Sequence, residues 1–353
     1  MRILLVTDAW LPQVNGVVRT LQTTCAALQK AGHQVERISP ETFRTVPCPS
    51  YPEIRLALFA GRTVARRIEA YRPDAIHIAT EGPLGLAARR WCVRHKAPFT
   101  TAYHTQFPDY LAKRTGLPVN LFWPFIRRFH APAQRTMVST ASIAAQLELN
   151  GVHPTHRWGR GVDLELFHPE IDQHRALARL PCPIQLYVGR VAVEKNIEAF
   201  LASAHPGSKV VVGDGPARES LQRRYPQALF LGALKGRTLA SAYAGADVLV
   251  FPSRTDTFGL VIIEALASGT PVAAFPVSGP IDVMTEEVGA LREDLDEAIA
   301  AALTRDRGRC RSYAEGFSWQ ASTAQFLAGL EPTIKWKSET ARAQVGVEGA
   351  LQR

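Results

Sequence analysis

Two Rossmann-like α/β domains, each built on a parallel sheet, are predicted by three features of the 353-residue chain. Short apolar runs alternate with helical patterns from the first residues onward, the alternation restarts after residue 180, and several runs are apolar on both faces. Such runs suit a parallel sheet covered by helices on two sides. The first strand, residues 3–7, leads into a helical stretch at 17–31 that Gly32 ends. Strands follow at 35–39, 75–78, 99–102 and 137–139, with a second clear helix at 84–95. The second series comprises strands at 184–188, 209–212, 229–231, 247–251 and 272–275, then helical segments at 293–313 and 316–330. A chain of this length can bury two cores. Beyond Pro332 the sequence turns polar and loses its period, and residues 333–353 are expected to form a poorly ordered tail.

Composition narrows the class. Five cysteines (Cys25, Cys48, Cys92, Cys182, Cys310) are odd in number, widely spaced and form no C-x-x-C pair, which points away from a disulfide framework or a zinc site and toward a reducing compartment. The opening apolar run is too short for a signal peptide, and no run approaches the ~18 apolar residues of a membrane span. The expected location is the cytoplasm. The net charge of +9 is lopsided: residues 1–150 hold 19 Lys and Arg against 9 Asp and Glu, the rest 22 against 23. The excess gathers in Arg62, Arg66, Arg67 and Arg72, in Arg89, Arg90, Arg94 and Lys96, and in Lys113, Arg114, Arg127 and Arg128, with Trp91, Phe122, Trp123, Phe125 and Phe129 among them. Basic residues interleaved with aromatics suit an anionic membrane surface. Nucleic acid would satisfy the same charges, but no nucleic-acid recognition module is visible, and none is expected as a partner.

The most informative string is residues 253–272, S-R-T-D-T-F-G-L-V-I-I-E-A-L-A-S-G-T-P-V. A buried-looking strand runs into a polar loop, Phe258-Gly259 opens a helix carrying Glu264, and Gly269-Thr270-Pro271 stops it. A ligand at this loop meets free backbone N–H groups at the positive end of a helix, which suits a diphosphate, while the carboxylates of Asp256 and Glu264 suit hydroxyl groups. Either acid alone reads as a capping or solvated residue. The whole string resembles the E-x7-E region of the retaining glycosyltransferases of family 4, which have the GT-B fold of two Rossmann-like domains flanking a cleft. Aspartate stands here in place of the first glutamate.

The resemblance extends over residues 1–330 and assigns the other strings. Residues 188–197, V-G-R-V-A-V-E-K-N-I, are similar to the family's diphosphate-binding loop; Arg190 would offer a planar fork and Lys195 a mobile point charge to a leaving diphosphate. Asn15-Gly16 follows the first strand, where glycine lets backbone approach a phosphate at the donor–acceptor boundary. His104 lies just past a strand end and corresponds to the family histidine near the donor sugar, with a positioning role. Glu81 ends another strand, in a loop expected to face the acceptor. Gly213, in G-D-G-P after a strand, and Lys235 are implied to line the base pocket; a dinucleotide fingerprint would need a third glycine. Asp294-Leu295-Asp296 matches a D-x-D metal motif in form, but its place in an acidic first helical turn argues for capping, and no metal site is expected.

These likenesses imply residues 1–160 as the acceptor-side domain, 161–315 as the nucleotide-sugar domain, and 316–332 as a helix crossing back to the first domain. They imply a retaining hexosyltransferase, independent of metal and cofactor, taking its sugar from GDP-mannose or a UDP-hexose. Arg190 and Lys195 would hold the diphosphate, Glu264 the ribose, and Asp256 with the Phe258-Gly259-Leu260 backbone the sugar. The acceptor would be a lipid or glycan, with the enzyme peripheral on the inner face of the cytoplasmic membrane. A phosphorylase or epimerase on the same fold, or a non-catalytic nucleotide- or polyanion-binding module, is the alternative.

Overall fold

The computed structural model describes residues 1–13, 15–48 and 51–332; the expected tail at 333–353 lies outside the described residues. The first lobe runs β1 (Arg2–Val6), α1 (Gly16–Lys30), β2 (Gln34–Ile38), β3 (Thr45–Cys48), β4 (Tyr51–Ala57), α2 (Ala60–Tyr71), β5 (Ala75–Ile78), α3 (Pro83–Arg94), β6 (Thr100–Tyr103), α4 (Phe107–Thr115), α5 (Trp123–His130), β7 (Thr136–Val138), α6 (Ala141–Leu149) and β8 (Thr155–Arg157). The second runs β9 (Ile184–Val188), α7 (Ile197–Ala202), β10 (Ser208–Val212), α8 (Arg218–Arg224), β11 (Leu229–Gly232), α9 (Gly236–Ala244), β12 (Val248–Phe251), α10 (Leu260–Ala267), β13 (Val272–Ala274), α11 (Pro280–Val283), β14 (Gly289–Leu291), α12 (Leu295–Ala302), α13 (Arg307–Ala314) and α14 (Trp319–Gly329).

Each lobe carries a six-stranded parallel sheet, in the orders β2-β1-β5-β6-β7-β8 and β11-β10-β9-β12-β13-β14. Both have the doubly wound plan that opens a crevice where the strand order reverses. Ile3, Leu4, Leu5 and Val6 are all fully buried because alternate side chains feed cores on opposite faces of the first sheet. The two expected domains are therefore present. The β3–β4 hairpin, β8 and β14 go beyond the strands read from the sequence, and the helical segment 293–313 is two helices, α12 and α13. Asp306 begins the second by accepting a hydrogen bond from Arg309 N at 2.8 Å. Asp294 likewise caps α12, accepting from Asp296 N at 2.8 Å and Glu297 N at 3.0 Å, while Asp296 accepts from Ala204 N at 3.0 Å.

The basic first lobe needs one correction. Trp91, Trp123 and Phe129 are core residues, 5%, 4% and 2% exposed, because their helices turn these faces onto the sheet; they cannot meet a membrane. Arg89 also turns back, donating from Nε to Phe129 O at 2.8 Å, and Arg67 pairs with Glu36. Among the described residues, the exposed phenylalanines of this lobe are Phe59, Phe107 and Phe125, the first 96% exposed.

After Trp158 the chain enters the second lobe, whose core holds Val162, Phe167 and Leu177. It returns at Phe317, and α14 packs on α1 and β8 with Phe326 and Leu330 in the core beneath β1. The two crossings touch: Val162 N donates to Phe317 O at 3.1 Å, and a Cβ on Gly161 would lie 2.3 Å from Trp319 N.

Asp8, at the end of β1, anchors α3. Its carboxylate accepts from Leu84 N at 2.9 Å, Gly85 N at 3.2 Å and Thr80 Oγ1 at 2.9 Å. Burial outweighs these bonds and pushes the carboxyl up to about 6 from 3.8. A raised folded-state value means the native protein holds a proton that the unfolded chain releases between pH ~4 and ~6. Stability from this group is thus full below pH ~4 and is lost as pH rises to ~6, by about 3 kcal/mol at ~1.4 kcal/mol per unit. Urea unfolding of wild type and Asp8→Asn at pH 4.5 and 7.5 should show wild type gaining on the variant at the lower pH. An equal difference at both would refute the assignment.

Candidate active site

The site forms where loops at the carboxyl ends of the second sheet meet the first lobe. Three backbone loops build its floor. Gly189 N donates to Val212 O at 3.0 Å, Val191 N to Asp214 O at 2.9 Å and Ala217 N to Val191 O at 3.0 Å, tying the Arg190 loop to the glycine turn. The loops lie so close that a Cβ on Gly213 would stand 1.8 Å from Gly189 O. Gly213 thus serves as the contact between two loops. Tyr187, beneath them, donates from its hydroxyl to Arg190 O at 2.8 Å.

Lys195 ends a short 3-10 turn and extends its ammonium to Asp256 Oδ1 at 2.6 Å. Asp256 sits between β12 and α10, and its Oδ2 is buried without a hydrogen-bond partner among the described residues. The third loop is held by the other lobe: Asp256 O accepts from Gln106 Nε2 at 3.2 Å, Thr257 O from Ser139 Oγ at 2.7 Å, and Thr257 Oγ1 donates to His104 O at 2.8 Å. Phe258 is 6% exposed and packs edge-on to Phe317, so only its backbone is available to a ligand. Gly259, at φ 84°, starts α10, and Leu260 meets Gly16 across the lobe boundary, 3.4 Å from where a Gly16 Cβ would be. Glu264 lies on α10 just over one turn beyond Leu260.

Glu264 is 3% exposed. It pairs through Oε1 with Arg19 from α1, and its Oε2 accepts from the Tyr243 hydroxyl at 2.9 Å. Burial pushes the carboxyl above the usual carboxylate range, while Arg19 and the Tyr243 hydroxyl pull the other way. Arg19 also stacks over Phe167, 5.4 Å from the ring centre. Sequence reasoning missed Arg19 and Tyr243. The only signal for Arg19 was its place one turn after Gly16, on the same helix face.

On the first lobe, Asn15 caps α1 through Oδ1, accepting from Val18 N at 3.0 Å, so Asn15-Gly16 is a helix start and not a turn. His104 follows β6, with Nδ1 3.1 Å from Arg160 Nη2. Glu81 turns toward the interior, 3.4 Å from His130 Nε2. Lys235 is exposed at the start of α9. Lys195 is thus paired with Asp256 and Arg19 with Glu264, Leu260 lies against Gly16, and His104 meets the Asp256 loop through Thr257. Among the described residues, no ion pair or side-chain hydrogen bond ties Glu81 or Lys235 to these groups. Among the described residues, no three His, Cys, Asp or Glu side chains gather as a metal site.

Residues 14–166 match the model of Glycosyltransferase Family 4, and residues 182–305 that of Glycosyl transferases group 1. A GDP-mannose-dependent alpha-mannosyltransferase of Mycobacterium tuberculosis is 31% identical, with 94% of this chain and 96% of that protein covered. The chain belongs to glycosyltransferase family 4. Another protein of that organism, a GDP-mannose-dependent alpha-(1-6)-phosphatidylinositol dimannoside mannosyltransferase, is 30% identical over 94% of this chain and 96% of its own. Among solved structures, sucrose-phosphate synthase from Thermosynechococcus elongatus superposes with a TM-score of 0.75 at 25% identity, covering 97% of this chain and 99% of that one. The two parallel-sheet lobes are those of the GT-B fold, and this family 4 member is a glycosyltransferase.

Proposed function

We propose that this enzyme transfers a mannosyl group from GDP-mannose, or failing that a hexosyl group from a UDP-sugar, to a membrane lipid or glycan with retention of the α-linkage. The observation that carries the reading is the 2.6 Å contact of Lys195 with Asp256, which joins a cation suited to a leaving phosphate to a carboxylate suited to sugar hydroxyls. Arg190 and Lys195 hold the diphosphate, Asp256 and the backbone of residues 258–260 the sugar, and Glu264 the ribose. Each Glu264 oxygen keeps a lone pair beyond those used by Arg19 and Tyr243, so ribose hydroxyls can add to the pair without displacing it. Gly213 and Lys235 border the base and Gly16 the donor phosphates; Asn15, Glu81 and His104 form the acceptor side. As the sugar C1–phosphate bond breaks and the acceptor bond forms on the same face, the departing β-phosphate takes the acceptor's proton. The names of the two mycobacterial relatives favour GDP-mannose.

A thermal-shift panel of GDP-mannose, UDP-glucose, UDP-glucuronate and UDP-galactose, with GDP and UDP as controls, tests the donor. A ligand present at 100 times its Kd adds about 2.7 kcal/mol to native stability. The expected result is a shift with GDP-mannose and GDP; a shift with UDP compounds alone overturns the mannosyl reading, and none with any overturns both.

A lipid acceptor draws support from a groove of about 970 Å³ between α2 and α3, lined by Arg62, Arg90, Arg94 and the exposed Phe59. Two of the basic clusters meet here over an apolar floor, an arrangement that suits anionic headgroups and supports the reading of a peripheral protein on the cytoplasmic face of the membrane. Among the described residues no helix is long and apolar enough to cross a membrane. Wild type is expected to sediment with vesicles containing phosphatidylglycerol, and an Arg90→Glu, Arg94→Glu variant to remain in solution. Equal sedimentation of both, or of neither, removes this surface from the proposal.

A further inference from the structure

His104 stands where the lobes meet, its carbonyl oxygen accepting from Thr257 of the second lobe. Its ring is packed edge-on to Trp158, 5.4 Å between centroids. Arg160, two residues beyond Trp158 and 7% exposed, stacks 4.7 Å over the same indole. Its guanidinium is held by Trp158 O and, at 2.9 Å, by Gly159 O, and so reaches His104 Nδ1 with Nη2 at 3.1 Å. A guanidinium has donors only. The His104 Nδ1 must therefore accept, and the ring proton of the neutral imidazole must sit on Nε2. That nitrogen is buried and has no hydrogen-bond partner among the described residues.

We propose that Arg160 is a positioning residue, locking His104 in its neutral Nε2–H tautomer so that the ring offers a hydrogen-bond donor to the reacting complex and cannot serve as its base. What Nε2–H meets must be an acceptor: a sugar hydroxyl oxygen or a phosphate oxygen. This last step rests on the donor proposed above; the tautomer does not. Burial and the neighbouring Arg160 charge hold the imidazolium well below histidine's ordinary range. The other titratable ring facing His104, His77 on β5, is itself kept neutral by burial, at about 3, with Nδ1 2.9 Å from Thr100 Oγ1. Neither neighbour therefore supplies a negative charge that would favour protonation of His104.

The tautomer can be read on ligand-free, 15N-labelled protein by long-range proton–nitrogen correlation, with His104 assigned by the signals lost in His104→Gln. The expected spectrum has the proton on Nε2 and a bare Nδ1 from pH 5.5 to 8.5. A proton on Nδ1, or titration within that range, overturns the inference. Arg160→Lys retains a donor and should keep the wild-type spectrum. Arg160→Met should free Nδ1, let the ring proton distribute between Nδ1 and Nε2 while burial still keeps the ring neutral, and lower kcat roughly 10- to 100-fold. A kcat loss with the tautomer unchanged would assign Arg160 a merely structural role and refute the proposal. Should Arg160→Met fail to fold, the wild-type and Arg160→Lys spectra still decide it, and they do so whatever nucleotide the donor panel selects.

Discussion

Lys195→Met is expected to leave the fold intact and to lower kcat by about 100- to 1000-fold, the loss seen when one fixed donor to a developing anion is removed. Two effects combine. The departing diphosphate loses a cation, and Asp256, whose Oδ2 has no hydrogen-bond partner among the described residues, loses its ion pair with the ammonium. Lys195→Arg should recover only part of the rate, because a planar fork cannot occupy the position of a compact ammonium while also meeting Asp256. Nucleoside diphosphate release, followed with the donor the thermal panel selects, gives kcat and donor KM. A variant within tenfold of wild type in kcat would show that Lys195 serves only to hold Asp256. Aspartate at 256 is one methylene shorter than the glutamate of the motif the string resembles, and its carboxylate still meets the Lys195 ammonium at 2.6 Å.

The second large effect is expected from Gly213→Ala. The added methyl would lie 1.8 Å from Gly189 O, and the backbone at φ 143° is one that L residues rarely adopt. Relief requires separating the two loops and breaking the Gly189–Val212 and Val191–Asp214 bonds between them. Strain and overpacking together should cost about 2–5 kcal/mol, lowering the melting temperature by several degrees. Because the displaced loop carries Arg190, nucleotide affinity should fall as well. Unchanged melting and unchanged affinity would mean the loops can part freely, and the floor described here would be wrong.

What the sequence disclosed follows from range. The strands buried on both faces, such as β1, β9 and β12, declare themselves as continuous apolar runs, and glycines and caps mark their helices. β8 and β14 do not: each is three residues long, β8 is polar and only half buried, and β14 starts with glycine. In the β3–β4 hairpin, Pro47 and Pro52 interrupt the period. At the site, the strings containing Lys195, Asp256 and Glu264 were legible because each is local. The partners that set their charge were not. Arg19 reaches Glu264 across 245 residues and Arg160 reaches His104 across 56, and single-chain periodicity carries no trace of such meetings. The aromatics of the basic half misled for a related reason: Trp91 and Trp123 alternate with arginines along their helices, but one helix face is core and the other solvent.

The return of α14 also sets an order of events at the ribosome. Phe326 and Leu330 complete the apolar layer beneath β1 and α1, yet they are made only after the whole second lobe has been translated. At ~5–20 residues per second the nascent first lobe waits on the order of 10 to 30 seconds with that layer uncovered. For this interval it is an incomplete body, a natural client for chaperones, and it becomes a finished one only when α14 leaves the exit tunnel.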